Sequence, residues 1–203
     1  MFSLMQKGGP IMYIIFALSI AAVLIIVERF LYFRRIKVDE NSFMRNLKNA
    51  LEKNYFNEAL SICENTPTPI ASIMKAGILN RKGNESNIRE SIENAAKQEI
   101  PKLERYLPAL GTIANISPLL GLLGTVTGNI RAFGILGSQL AVGDPSLLAG
   151  GISEALLTTA AGLIVSIPAV IFYNYLSNKV NGMIIRIENQ VSEVVLILKG
   201  DRA

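Results

Sequence analysis

The sequence predicts an all-α membrane protein with three transmembrane helices, the second and third extended into a helical cytoplasmic domain. Two observations lead there. Of the 36 charged residues in a chain of 203, 25 lie between residues 28 and 105, whereas residues 106–178 hold only Arg131, Asp144 and Glu154. A soluble domain of this size has no core large enough to bury over seventy consecutive charge-poor residues. In addition, three runs are long and uncharged: Gly8 to Val27 (20 residues), Tyr106 to Ile130 (25) and Ala155 to Asn178 (24). At ~1.5 Å per residue, each covers a hydrocarbon core of about 30 Å as a helix.

Residues 1–35 give a short outer N-terminus and the first span. Its positive charges, Arg29, Arg34, Arg35 and Lys37, follow the apolar run, and no small-x-small cleavage site is visible. That order fits a retained anchor and not a cleaved signal peptide. Residues 36–105 form the cytoplasmic helical domain. Residues 50–65, ALEKNYFNEALSICEN, space their apolar residues as one helical patch that the following Thr-Pro-Thr-Pro stops, and residues 70–84 end in a Gly-Asn turn. From Ser86 onward Ile88, Ile92, Ala95, Ala96, Ile100, Leu103 and Leu107 make one apolar face running into the second span. Pro101 and Pro108 are expected to kink that helix without ending it.

Residues 106–178 make a transmembrane hairpin, with Asp144-Pro145 read as an N-cap and first-turn proline opening the third span. Residues 179–203 form an amphipathic helix in which Val180, Ile184, Ile187, Val191, Val194 and Leu198 recur at spacings of four and three, with Gly200 as a stop. Period alone leaves two partners open for that stripe: the chain's own middle domain, or a second subunit. Near the membrane ends one side is rich in Lys and Arg, while the other offers only Lys7 and Arg131. By the positive-inside rule the N-terminus and hairpin turn face outward, with the middle domain and C-terminus in the cytoplasm.

Composition excludes several chemistries. With no His and only Cys63, the chain offers no zinc ligand set, no Ser-His or Cys-His pair and no axial haem histidine. Ser117 and Ser166 have no visible base to activate them, so no enzyme activity and no cofactor are expected. The net charge of +4 is modest, and the basic residues flank membrane runs without interleaved aromatics, so the lipid bilayer and not nucleic acid is the expected partner.

The spans carry polar residues that need an account. Gly124 and Gly128 form a GxxxG with Gly121 close to the same face, which permits close helix approach. Thr112, Asn115, Ser117, Thr125 and Thr127 accompany them. A single Ser or Thr in a membrane helix commonly bonds to its own preceding turn, but five polar residues together strain that explanation. The third span adds Glu154, Thr158, Thr159 and Ser166. A carboxylate costs about 2.5–3.5 kcal/mol at the bilayer centre and less near the interface, so Glu154 should face an interior or a wet cavity. A milder role is open to it as well, in the first turn of a helix stabilised by the helix N-terminus.

At about 100° per residue, Glu154, Thr158, Ala161 and Val165 share a face while Thr159 lies about 140° from Glu154. The two are therefore expected to serve different roles. Threonine hydroxyls do not titrate in the accessible range. Glu154 and Asp144 are the only carboxylates near the second and third spans. If the chain conducts protons, either a partner subunit brings a membrane carboxylate to the Thr lining or a water wire carries them.

The linked motifs Pro118-x-x-Gly121-Leu122-x-Gly124-Thr125-Val126-x-Gly128, Gly151-Ile152-x-Glu154-Ala155-Leu156-Leu157-x-Thr159-Ala160-x-Gly162-Leu163 and Ile167-Pro168-Ala169 resemble the ExbB/TolQ/MotA family of proton-channel subunits, ExbB most closely. The resemblance implies a multi-pass protein of the bacterial inner membrane, a homopentamer whose second and third spans line a central pore. It implies an ExbD-type single-span subunit whose membrane aspartate exchanges protons there, and a TonB-type energy transducer that drives outer-membrane uptake. On this reading Thr125, Thr159 and Glu154 are proton-pathway residues and Gly121, Gly124, Gly128 and Gly162 pack the helices. Thr127 stands where the family often has a bulky side chain, and Arg131 adds a positive charge near the outer mouth. A TolQ-type subunit of the Tol-Pal envelope system, or a passive membrane scaffold, is the alternative.

Overall fold

The computed structural model of the chain describes residues 9–36, 40–137 and 145–200. Lys7, Lys37 and the Asp144 N-cap lie outside the described residues. Among those described, the chain is all helix: α1 (Gly9–Arg35), α2 (Glu40–Glu52), α3 (Phe56–Glu64), α4 (Pro69–Leu79), α5 (Glu85–Glu104), α6 (Leu107–Gly137) and α7 (Pro145–Lys199). Three helical stretches, Gly9–Arg35, Glu85–Gly134 and Ala149–Lys199, are long and apolar enough to cross a membrane. The fold is that of an all-α membrane protein. Two compact units divide the chain, one of Met1–Glu28 with Tyr106–Leu176 and the other of Arg29–Arg105 with Ser177–Ala203.

In the second unit the short helices α2 to α5 pack each on the next. Their caps explain where they start. Thr68 Oγ1 accepts from the Ala71 amide at 3.4 Å with Pro69 in the first turn of α4, and Asn84 Oδ1 accepts from the Asn87 amide at 2.8 Å to open α5. The patch at 50–65 is two helices and not one. Asn54 adopts φ 61°, the Asn54 amide bonds to the Leu51 carbonyl at 3.0 Å and the Tyr55 amide to the Ala50 carbonyl at 2.8 Å. That is a left-handed helix stop, which asparagine tolerates better than most residues.

The core of this unit is built from Leu47, Ala59, Ala71, Ile73, Met74, Ile78, Ile88 and Leu103, all fully buried. The C-terminal stripe joins it: Val180, Ile187, Val194 and Val195 are buried, and the helix is tied to α2 by the Arg186–Glu40 pair at 3.3 Å and the Lys48–Glu193 pair. Of the two partners open to that stripe, the chain's own middle domain takes it. Such exposed ion pairs contribute only about 0–1 kcal/mol each, so the apolar burial is the main hold.

Arg29 is only 1% exposed although it follows the first apolar run directly. Its Nη1 donates to the Lys102 carbonyl at 3.0 Å and the Leu103 carbonyl at 3.4 Å, and its guanidinium lies 4.5 Å from the Tyr32 ring centroid. The last carbonyls of a helix have no partner within it and carry partial negative charge, so a buried cation there is well placed. The helix so capped does not run on into the second span. Arg105 leaves helical geometry at φ −49°, ψ 133°, and Tyr106 takes φ 65°. Pro108 is the cause: in a continuous helix its ring would meet the Glu104 carbonyl, whereas in the first turn of α6 its missing N–H costs nothing. Pro101, by contrast, stays inside α5.

Candidate functional site

In the first unit α6 and the span portion of α7 run antiparallel and meet along a seam of small residues. A Cβ on Gly162 would lie 2.5 Å from the Ser117 carbonyl oxygen, one on Gly128 2.8 Å from Ala155 Cβ, and one on Gly121 3.0 Å from Thr159 Cα. A Cβ on Gly124 would overlap the Thr158 side chain. Two hydroxyls cross the seam: Thr159 Oγ1 donates to the Gly121 carbonyl at 3.0 Å and Ser166 Oγ to the Ala114 carbonyl at 2.7 Å. Close approach brings dispersion contacts, and the hydroxyls find carbonyl acceptors in a place that lacks water.

The seam gives the hairpin two edges. Gly124 faces Thr158 and Gly121 faces Thr159, so rotating around α6 from Gly124 through Gly121 moves across the seam from Thr158 to Thr159. Continuing about 40° in the same sense reaches Thr125, and turning the other way from Gly124 reaches Arg131 and Thr127. Thr125 and Thr159 thus lie toward one edge, and Arg131, Thr127, Thr158 and Glu154 toward the other.

The second edge is the one covered by the start of α1. Arg131 Nη1 and Glu154 Oε1 form an ion pair at 3.0 Å, joining α6 to α7. A Cβ on Gly9 would overlap the Glu154 carboxylate, and Gly9 holds φ 62°, so glycine suits that place twice over. A cavity of about 220 Å³ opens beside the pair, lined by Pro10, Ile11, Gly124, Thr127, Arg131, Glu154 and Thr158. With about 30 Å³ per liquid water and several polar groups on its wall, the space suits a small cluster of waters. The short side chain of Thr127 helps keep it open.

The individual roles follow from these contacts. Thr158 is buried and donates within its own helix, to the Ala155 carbonyl at 2.8 Å, and Thr127 bonds to the Leu123 carbonyl at 3.0 Å. Thr125 is half-buried and donates to the Leu122 carbonyl at 2.6 Å, which leaves its oxygen lone pairs available as acceptors. Thr159 is half-buried with its proton committed across the seam. The Glu154 carboxylate is engaged by a guanidinium, away from the Thr159 edge. Sequence reasoning missed the Arg131–Glu154 pair, although these are opposite charges in a hairpin nearly free of charge. Among the described residues no group of three or more His, Cys, Asp or Glu side chains could hold a metal ion.

Comparison with known proteins places this hairpin. The MotA/TolQ/ExbB proton channel family matches residues 65–189. A putative biopolymer transport protein ExbB-like 3 of Synechocystis is 30% identical over 196 residues, covering 96% of this chain and 93% of that relative. A putative ExbB homolog of Methanothermobacter thermautotrophicus is 31% identical over 90% of this chain and 65% of its own length. The Tol-Pal system protein TolQ of Haemophilus influenzae is 43% identical over 104 residues, which is 51% of this chain and 45% of that protein. The family match covers α4, α5, α6 and α7 as far as residue 189, the seam included. The chain therefore belongs to the MotA/TolQ/ExbB proton channel family.

Proposed function

We propose that the chain is the ExbB-type channel subunit of an inner-membrane motor that uses the proton motive force to energise outer-membrane transport. Thr125 and Thr159 line the ion path in this reading, and Glu154 sits beside it in the outer vestibule. The observation that supports it best is the division of the hairpin into two edges. One meets the start of α1 and holds an ion pair, and the other presents half-buried hydroxyls.

Threonine hydroxyls do not titrate in the accessible range, and the chain has no His. The carrier is then a membrane carboxylate of an ExbD-type single-span partner, held in the centre of a homopentamer and coupled to a TonB-type transducer. The N-terminus faces outward, and the middle domain and C-terminus face the cytoplasm. One proton gains about 2.3 kcal/mol per 100 mV on crossing, so useful mechanical work requires several crossings.

The test is Thr125→Val and Thr159→Val in the native complex, with proton flux into vesicles and energised uptake as readouts. Each substitution keeps the side-chain shape and removes the hydroxyl. Flux and uptake are expected to fall by about tenfold, as for one lost hydrogen bond in the path. Unchanged values in both variants would remove these residues from the pathway and favour a passive scaffold. A TolQ-type role has the similarity to the Haemophilus protein in its favour. It predicts that loss of the chain weakens the cell envelope while leaving energised uptake intact.

A further inference from the structure

Two residues that no reading so far has used stand out on α6. Asn115 and Asn129 are exposed on the surface of the hairpin, and neither amide has a hydrogen-bond partner among the described residues. Asn115 lies near the middle of the uncharged run from Tyr106 to Ile130. An amide there that faced acyl chains would leave two donors and an acceptor unmet where no water can meet them.

Their direction is informative. At about 100° per residue, Asn115, Thr125 and Asn129 fall within an arc of about 80° on α6 and span about 21 Å along it. The exposed apolar residues Ile116, Leu119, Leu123, Val126 and Ile130 lie outside that arc, while Leu122 and Phe133 are exposed within it or at its border. Asn115, Thr125 and Asn129 thus share the side of the helix away from the edge that α1 covers, with Leu122 among them.

We propose that Asn115 and Asn129 are ion-path residues, which extend the hydroxyl edge of Thr125 and Thr159 into a polar track, interrupted by Leu122, that faces water. The proposal rests on the functional reading above. Each amide offers a carbonyl oxygen to a hydrated cation and an NH2 group to the water behind it, so the track conducts by holding water and not by titrating.

The experiment uses the full chain in native membranes. In a Cys63→Ala background, Asn115→Cys, Thr125→Cys and Asn129→Cys are treated with a membrane-impermeant thiol reagent beside Ile116→Cys and Ile130→Cys, each about 100° round the helix from its neighbouring asparagine. The first three are expected to label and the last two to stay unlabelled. In parallel, Asn115→Leu and Asn129→Leu are expected to lower proton flux about tenfold with the complex still assembled, and Asn→Ser to restore most of it. Uniform labelling, or no labelling at the asparagines, overturns the proposal. So do Leu variants that lose assembly instead of flux, because that result assigns the amides to a subunit contact. If Thr125→Val lowers flux and the asparagine variants do not, this inference fails alone. If none of them lowers flux, the functional reading fails with it.

Discussion

Glu154 shows how far a residue type predicts its role. Its position in an apolar run demands a partner or water, and it has both a guanidinium at 3.0 Å and a polar cavity beside it. The pair is part-exposed, so its worth is modest. A double-mutant cycle of Arg131→Gln and Glu154→Gln, read by thermal unfolding in detergent, should give a coupling of about 1 kcal/mol, the double variant losing less than the two single losses combined. Zero coupling would reduce the pair to a chance approach of two side chains.

Cys63 illustrates the opposite case, a reactive group made inert. Burial pushes its thiol up from 9.0 to about 11, with Lys75 opposing the shift and Glu64 adding to it. Because the folded value is the higher one, the protonated thiol stabilises the fold fully below pH 9, and that contribution fades as the pH rises through about 11. Alkylation of the native protein at pH 8 should therefore be slow and should accelerate sharply in denaturant. Rapid native labelling at that pH would contradict the burial.

Among the elements, the seam of α6 and α7 is the most demanding. Gly162→Val would drive a branched side chain into the Ser117 carbonyl, and Gly124→Val would collide with Thr158. Neither obstruction is the free end of a flexible chain, so the helices must separate and lose both cross-seam hydroxyl bonds. Each variant is expected to cost about 2–4 kcal/mol, read as a fall in thermal midpoint in detergent. Gly134→Val makes a fair comparison, since a Cβ there meets nothing within 4 Å and its cost should be close to its helix-propensity change alone.

At the scale of the whole molecule, the three spans were legible because length and absence of charge are properties of each segment alone. The small-residue seam was legible in part, since Gly121, Gly124 and Gly128 sit together in the sequence, but their opposite numbers on α7 depend on register between two helices. The separation of Glu154 from Thr159 followed from helical period alone. The stop at Tyr106 did not: Pro108 was read as a kink, and its placement in a first turn depends on the backbone reversing just before it. The cap made by Arg29 was beyond reach for another reason. Its carbonyl acceptors lie 73 and 74 residues further along the chain, and no local pattern links them.

That distance has a consequence for biosynthesis. A guanidinium cannot be stripped of water before something replaces it, and the replacement at Lys102 and Leu103 is translated long after Arg29 has left the ribosome. At roughly 5–20 residues per second, the nascent first span waits several seconds or more with its basic end still wet. Arg29 therefore reaches its buried place only once the fifth helix has been made.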